Sequence, residues 1–200
     1  MTPTVAEREI TPEEFLRRPD AVKFELIDGH LVERNVSVLS SLVEGIVHTR
    51  LSIHCEAVKA GLVWPSSLGI RCFPDAPNKI RRADVSFVRV ERFSPENMHE
   101  GFLTLYPDLA VEVVSPNDTA YEVAEKVEDF LAAGVLLLWV IYPESRLIEV
   151  HRKDGTVSKL RATDELSGED VLPGFRCRVD TLFPPTASAT ARSNQESSHR

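Results

Sequence analysis

The chain has 200 residues, 42% of them hydrophobic and 27% charged, the composition of an ordinary globular protein, which excludes wholesale disorder and fibrous repeats. Its formal net charge of −8 repels polyanions and argues against a protein whose main task is coating nucleic acid, though not against a nuclease. The longest apolar stretch, Gly134 to Tyr142, falls well short of the roughly 20 residues of a membrane span, so a soluble chain with no membrane partner is expected.

Met1 to Arg18 mixes acids and bases without an apolar signal core, and the expected location is the cytoplasm. Cys55, Cys72 and Cys177 are too few and scattered to staple a fold, and none forms a C-x-x-C pair. His48, His54 and Cys55 lack a fourth ligand at metal-binding spacing and read as ordinary side chains. Between Arg71 and Arg92 the charge balance reverses. Arg71, Lys79, Arg81, Arg82, Arg89 and Arg92 face only Asp75, Asp84 and Glu91, so phosphate contacts are to be sought there, although an ordinary solvated surface has the same composition.

In chain order, Thr11-Pro12-Glu13-Glu14 opens a short helix that ends near Pro19: a capping threonine, a proline in the first turn and acids at the positive end of the dipole. Phe24 to Ile27 and His30 to Glu33 flank Asp28-Gly29, which predicts a hairpin with a type I′ turn. From Val38 to Ala60, Leu39, Leu42, Val43, Ile46, Val47, Leu51 and Val58 recur at three- and four-residue steps, predicting a long helix with a wide apolar stripe that ends at Gly61. Strands are expected at Leu62–Trp64, Leu68–Phe73 and Ala83–Val90, separated by turn-rich stretches. Leu109 to Val114 is apolar on both alternating faces, the pattern of a strand covered on both sides. After Pro116-Asn117-Asp118, Thr119 and Glu122 form a capping-box pattern. The stripe Ala120, Val123, Ala124, Val127, Phe130 and Leu131 then predicts a helix that ends at Gly134. Val135–Tyr142 and Leu147–His151 read as paired strands, and Asp154-Gly155 as a tight turn before Val157–Leu160. Past Phe183 the composition collapses to Pro, Ala, Ser, Thr and polar residues, so 184–200 is expected to be a disordered tail behind one domain over 1–183.

The chemistry points to Glu112. An ionised carboxylate inside a two-sided apolar strand costs several kcal/mol unless a cation or donors compensate it. The alternatives are a buried ion pair with an arginine, or a strand end that reaches water. Asp84, at the start of Ala83-Asp84-Val85 and directly after Arg81-Arg82, is the second candidate; its alternative is an ion pair with one of those arginines. If their strands are neighbours, Asp84 and Glu112 can offer two oxygen ligands to a hard divalent ion such as Mg2+ or Mn2+. Lys126 lies on the following helix about 60° from Val123 and about 40° from Phe130, so it can lean toward the strand end. Equally, Glu122 stands four residues before it, the spacing of an exposed helical ion pair.

These residues also carry a family resemblance. Glu25-Leu26-Ile27-Asp28-Gly29, Arg82-Ala83-Asp84-Val85, the run Pro107 to Pro116 and Glu125-Lys126, followed by Ala133-Gly134-Val135 and Trp139, resemble the Uma-two family of restriction endonuclease-like proteins in the PD-(D/E)XK nuclease superfamily. The similarity runs from about Thr11 to Phe183 and includes Leu172-Pro173-Gly174-Phe175. It implies an α/β (α+β) fold: a restriction-endonuclease-like mixed central β-sheet flanked by helices, with added hairpins. It further implies Asp84 and Glu112 as ligands of Mg2+ or Mn2+, Lys126 as the lysine this family places on the adjacent helix, and Glu25 as an acidic residue near the metal. In most of the superfamily the lysine follows the glutamate by two residues, a position held here by Val114. Ala83 replaces the usual proline before the aspartate, and Pro107-Asp108 reads as a turn leading into the strand. Many members carry a histidine early in the first long helix, where this chain has Leu39, Ser40 and Ser41. The implied activity is metal-dependent hydrolysis of DNA phosphodiester bonds, with catalytic residues Asp84, Glu112, Lys126 and Glu25. A homodimer is the simplest way to cut both strands. The alternatives are a non-catalytic module that keeps the fold and binds DNA or a protein, and a hydrolase directed at RNA.

Overall fold

The computed structural model describes residues 8–98 and 101–185. Helix α1, Pro12–Leu16, starts at Thr11, whose hydroxyl accepts the Glu14 N–H while the Glu14 carboxylate accepts the Thr11 N–H. Strands β1, Phe24–Ile27, and β2, His30–Glu33, form the expected antiparallel hairpin. Its turn residues have φ of 49° at Asp28 and 78° at Gly29, as a type I′ turn requires.

Helix α2, Val38–Val58, is capped by Ser37 and Ser40. It stops three residues before the expected glycine, because Lys59 takes the left-handed cap at φ 55°. Gly61 instead opens β3, Gly61–Pro65, where a Cβ would run into the Val88 carbonyl oxygen of the neighbouring strand. The buried stripe of α2 is also narrower than its sequence pattern, with Val43, Val47, Leu51 and Cys55 at four-residue steps, while Leu42 and Val58 face solvent.

The central sheet has six strands in the order β3-β4-β5-β6-β7-β8, with β4 at Val85–Arg89, β5 at Leu109–Val113, β6 at Leu137–Tyr142, β7 at Leu147–Arg152 and β8 at Val157–Leu160. Only β5 and β6 pair in parallel, and helix α3, Ala120–Ala133, makes the crossover between them. The remaining pairings are antiparallel, so the fold is mixed α+β with a mixed sheet. The two-residue strand period divides the core. Leu109, Val111 and Val113, with Leu137, Trp139 and Ile141, share one cluster with Val43, Val47 and Leu51 of α2. Ala110, Leu138 and Val140 share another with Val127, Phe130 and Ala133 of α3. Burial of each large side chain contributes roughly 1.5–3 kcal/mol.

Two stretches depart from expectation. Leu68–Phe73 is not a strand; Ile70 makes isolated bridges to Arg81 and Leu103, and Ile70 and Phe73 are apolar because they fill the α3-side core. A further hairpin, β9 at Glu165–Ser167 with β10 at Arg176–Arg178, had no counterpart in the sequence pattern. It brings Leu166, Leu172 and Phe175 onto the α2-side core. The expected tail lies, from residue 186 on, outside the described residues. Among the described residues no helix is long and apolar enough to cross a membrane.

Candidate active site

Glu112 belongs to the same strand face as Ala110, so β5 turns it toward α3 rather than α2. It is buried, 6% exposed. Lys126 reaches back from α3 and places Nζ 3.1 Å from Glu112 Oε2 and 3.3 Å from Glu25 Oε1. Asp84 stands one residue beyond the last β4–β5 pairing, Val85 with Val111, and so opposite Glu112. Its Oδ2 accepts the Val113 N–H at 2.7 Å and its Oδ1 accepts Arg34 Nη2 at 2.9 Å.

Glu25 arrives by a different route. The β1 hairpin is locked to the segment before Asp84 by reciprocal backbone bonds between Leu26 and Ile80 of 3.0 and 2.8 Å. Glu25 therefore lies beside Arg81 and Arg82. Its Oε1 accepts the Arg82 N–H at 2.8 Å, and its Oε2 accepts Arg81 Nη1 at 3.0 Å. Asp84, Glu112, Lys126 and Glu25 all line one cavity of about 100 Å3, together with Arg34 and Arg81. All four residues singled out in the sequence thus meet.

Several alternatives give way. Glu112 is held by a lysine, neither clasped by an arginine nor at a wet strand end. Lys126 does not make the exposed helical pair; Glu122 caps the helix through Thr119 instead. Arg81 and Arg82 bind Glu25 rather than Asp84, whose partner is Arg34, a residue with no distinguishing sequence signal. The basic segment is not a free phosphate-binding surface, because its charges are engaged within the chain. Lys79 and Arg81 pair with Asp129, Arg71 with Glu13 and Arg92 with Asp108, while Arg82 and Arg89 bind backbone carbonyls. Early in α2, Ser40 is buried with its hydroxyl 2.8 Å from that of Ser115.

The cavity treats its carboxylates unequally. Burial pushes the Glu112 carboxyl up to about 8; the Lys126 charge opposes this, and Asp84 and Glu25 reinforce it. Burial likewise raises Asp84 against the pull of Lys126 and Arg34. At Glu25 burial acts in the same direction, but the charges of Lys126 and Arg81 outweigh it and the carboxyl falls below its ordinary value. Burial alone would lower Lys126, yet the surrounding Glu112, Glu25 and Asp84 raise it, so it is a cation at neutral pH.

Among the described residues the buried Glu112 Oε1 has no hydrogen-bond partner, although buried polar atoms are nearly always satisfied. Together with the raised carboxyls, this marks a site short of positive charge, and an oxygen-ligated divalent ion fits it. Among the described residues no group of three or more His, Cys, Asp or Glu side chains is arranged to hold a metal. Asp84 and Glu112 supply two carboxylates, and Mg2+ keeps several waters and is usually held by one or two.

The chain matches the family model of Uma2, described as "Putative restriction endonuclease", over residues 12–180. Among solved structures it is similar to the crystal structure of a putative nuclease belonging to DUF820 from Anabaena variabilis ATCC 29413. The identity is 18%, the TM-score 0.72, and the match covers 87% of this chain and 97% of that one; at this identity the likeness concerns the fold. No match is found among curated proteins.

Proposed function

This chain belongs to the Uma2 family of restriction-endonuclease-type proteins, and from that premise we propose that it is a metal-dependent endonuclease of the PD-(D/E)XK kind, hydrolysing DNA phosphodiester bonds. Asp84 and Glu112 would hold Mg2+ or Mn2+. Bound there, such an ion neutralises charge on a phosphodiester and lowers the pKa of a coordinated water. Lys126, cationic and 3.1 Å from Glu112, is placed to stabilise charge developing on the phosphate oxygens or to orient the attacking water. Glu25 grips Lys126 from the other side while Arg81 and the Arg82 N–H fix its own oxygens, which makes it a positioning residue.

The observation that carries this reading is the unpartnered Glu112 Oε1, buried in the wall of a cavity shared with Asp84 and Lys126. Purified protein is expected to nick supercoiled plasmid in Mg2+ or Mn2+, and Glu112→Gln to reduce the rate by about 100-fold or more. Equal cutting by the variant would discard the assignment. A second reading, a non-catalytic binding module, is favoured by Asp84, both of whose oxygens already accept hydrogen bonds. Calorimetric titration with Mg2+ separates the two, since such a module need not hold the ion.

A further inference from the structure

Arg34 follows β2 directly, and its main chain is fixed. Its N–H donates to the Lys23 carbonyl at 2.9 Å. Its neighbour Asn35 donates to Asn117 O at 3.2 Å and Asp118 Oδ1 at 3.0 Å, and accepts the Ser115 hydroxyl at 3.3 Å. Only the side chain is free to change partners. It donates to Asp84 Oδ1 at 2.9 Å and to Ser66 O at 3.4 Å. These bonds engage two of the five N–H donors of a guanidinium, and no other hydrogen bond to this side chain occurs among the described residues. Arg34 lines the cavity of Glu112 and Lys126, and on its far side a second cavity of about 140 Å3 shared with Ser40, Glu44 and Asp84. Arg81, the other guanidinium in the wall, is tied to Glu25, Glu125 and Asp129.

The charges give this spare capacity a direction. Glu25, Asp84 and Glu112 face Lys126, Arg34 and Arg81, and Arg81 is further balanced by Glu125 and Asp129. An ion of charge +2 held by Asp84 and Glu112 would stand close to the Arg34 guanidinium, which is bonded to one of the two carboxylates that hold it. Like charges so close repel strongly in a poorly solvated cavity. A phosphodiester relieves that repulsion, and a guanidinium fork suits its oxygens.

We propose that Arg34 is a phosphate-binding residue of this site, resting on Asp84 in the free protein and giving its donors to a phosphodiester oxygen when substrate binds. The inference rests on the nuclease reading above. It is tested on the full chain with Arg34→Gln and Arg34→Lys, by Mn2+ calorimetry and by the KM and kcat of duplex cleavage, with thermal unfolding confirming that each variant folds. Arg34→Gln is expected to bind Mn2+ about tenfold more tightly, because a competing cation is gone, and to raise KM about tenfold with a smaller change in kcat. Arg34→Lys keeps the charge but not the fork, so Mn2+ affinity stays near that of the unaltered chain while KM remains raised. Mn2+ affinity that is unchanged or weaker in Arg34→Gln, or an unchanged KM, overturns the inference alone. An unaltered chain that neither binds Mn2+ nor cuts DNA overturns it together with the nuclease reading. Should Arg34→Gln fail to fold, the KM of Arg34→Lys decides: raised supports the proposal, unchanged overturns it.

Discussion

Glu25 and Glu112 are both buried and share one lysine, yet their carboxyls move in opposite directions. Glu25 has Arg81 and a backbone N–H besides Lys126, enough to outweigh its desolvation, whereas Glu112 has Lys126 alone. The carboxyl that falls is the one tied to several cations and a backbone N–H, so Glu25 is the acid on which neighbouring buried charges depend. Glu25→Gln should therefore destabilise the fold by about 3 kcal/mol at neutral pH, since it leaves buried cations underpaired. The sign of its pH dependence follows from the lowered carboxyl. The stabilisation is fully present above the unfolded value near 4.5 and is lost as pH falls through the lower folded value. Chemical denaturation at pH 7 and at pH 3 checks this: the gap between the two proteins should narrow at the lower pH, and a gap that stays constant would contradict it. At this scale Glu112 was legible in the sequence because an acid in an apolar strand needs a partner, whereas the helical angle of Lys126 left an exposed pair with Glu122 equally open and the family resemblance pointed it inward. Glu25 stood out only through the family resemblance. Arg34 did not stand out at all, because the bond it makes spans 50 residues and no local spacing encodes it.

The elements were readable where local chemistry decides them. Thr11 caps α1 as expected, and the capping box of Thr119 with Glu122 forms as its spacing predicts and starts the helix that carries Lys126. That helix ends at Gly134, whose φ of 111° places a would-be Cβ 3.2 Å from the Tyr106 ring. Gly134→Ala is expected to destabilise the protein by about 1–3 kcal/mol, read as a lowered midpoint in urea unfolding; an unchanged midpoint would show that the position tolerates a side chain. The misread elements are those decided by tertiary contact. Leu68–Phe73 is apolar because its side chains fill a core, not because its backbone joins a ladder. The β9–β10 hairpin pairs two three-residue strands across Pro173 and Gly174, too short to show a period. The end of α2 was misplaced because a lysine took the left-handed cap and the glycine served a close backbone approach.

For the molecule as a whole, the sheet topology is what assembles the site. The single parallel step lays α3 over the strand it follows, so Lys126 comes back onto Glu112. The hairpin, bridged at Leu26 and Ile80, adds Glu25 from outside the sheet. The basic run from Arg71 to Arg92 serves this assembly rather than a surface: its charges hold Glu25, Asp108 and Asp129 or cap backbone carbonyls. Composition alone could not tell the two uses apart, because both need the same residues and differ only in where the acids lie in space. Among the described residues the assembly leaves the buried Glu112 Oε1 unsatisfied, and the account turns on what satisfies it. The direct measurement is anomalous diffraction from crystals soaked in Mn2+. A peak within bonding distance of both Asp84 and Glu112, absent in Glu112→Gln, is the predicted result. Full Mn2+ exposure with no peak there, and Glu112 still bound only to Lys126, would contradict it.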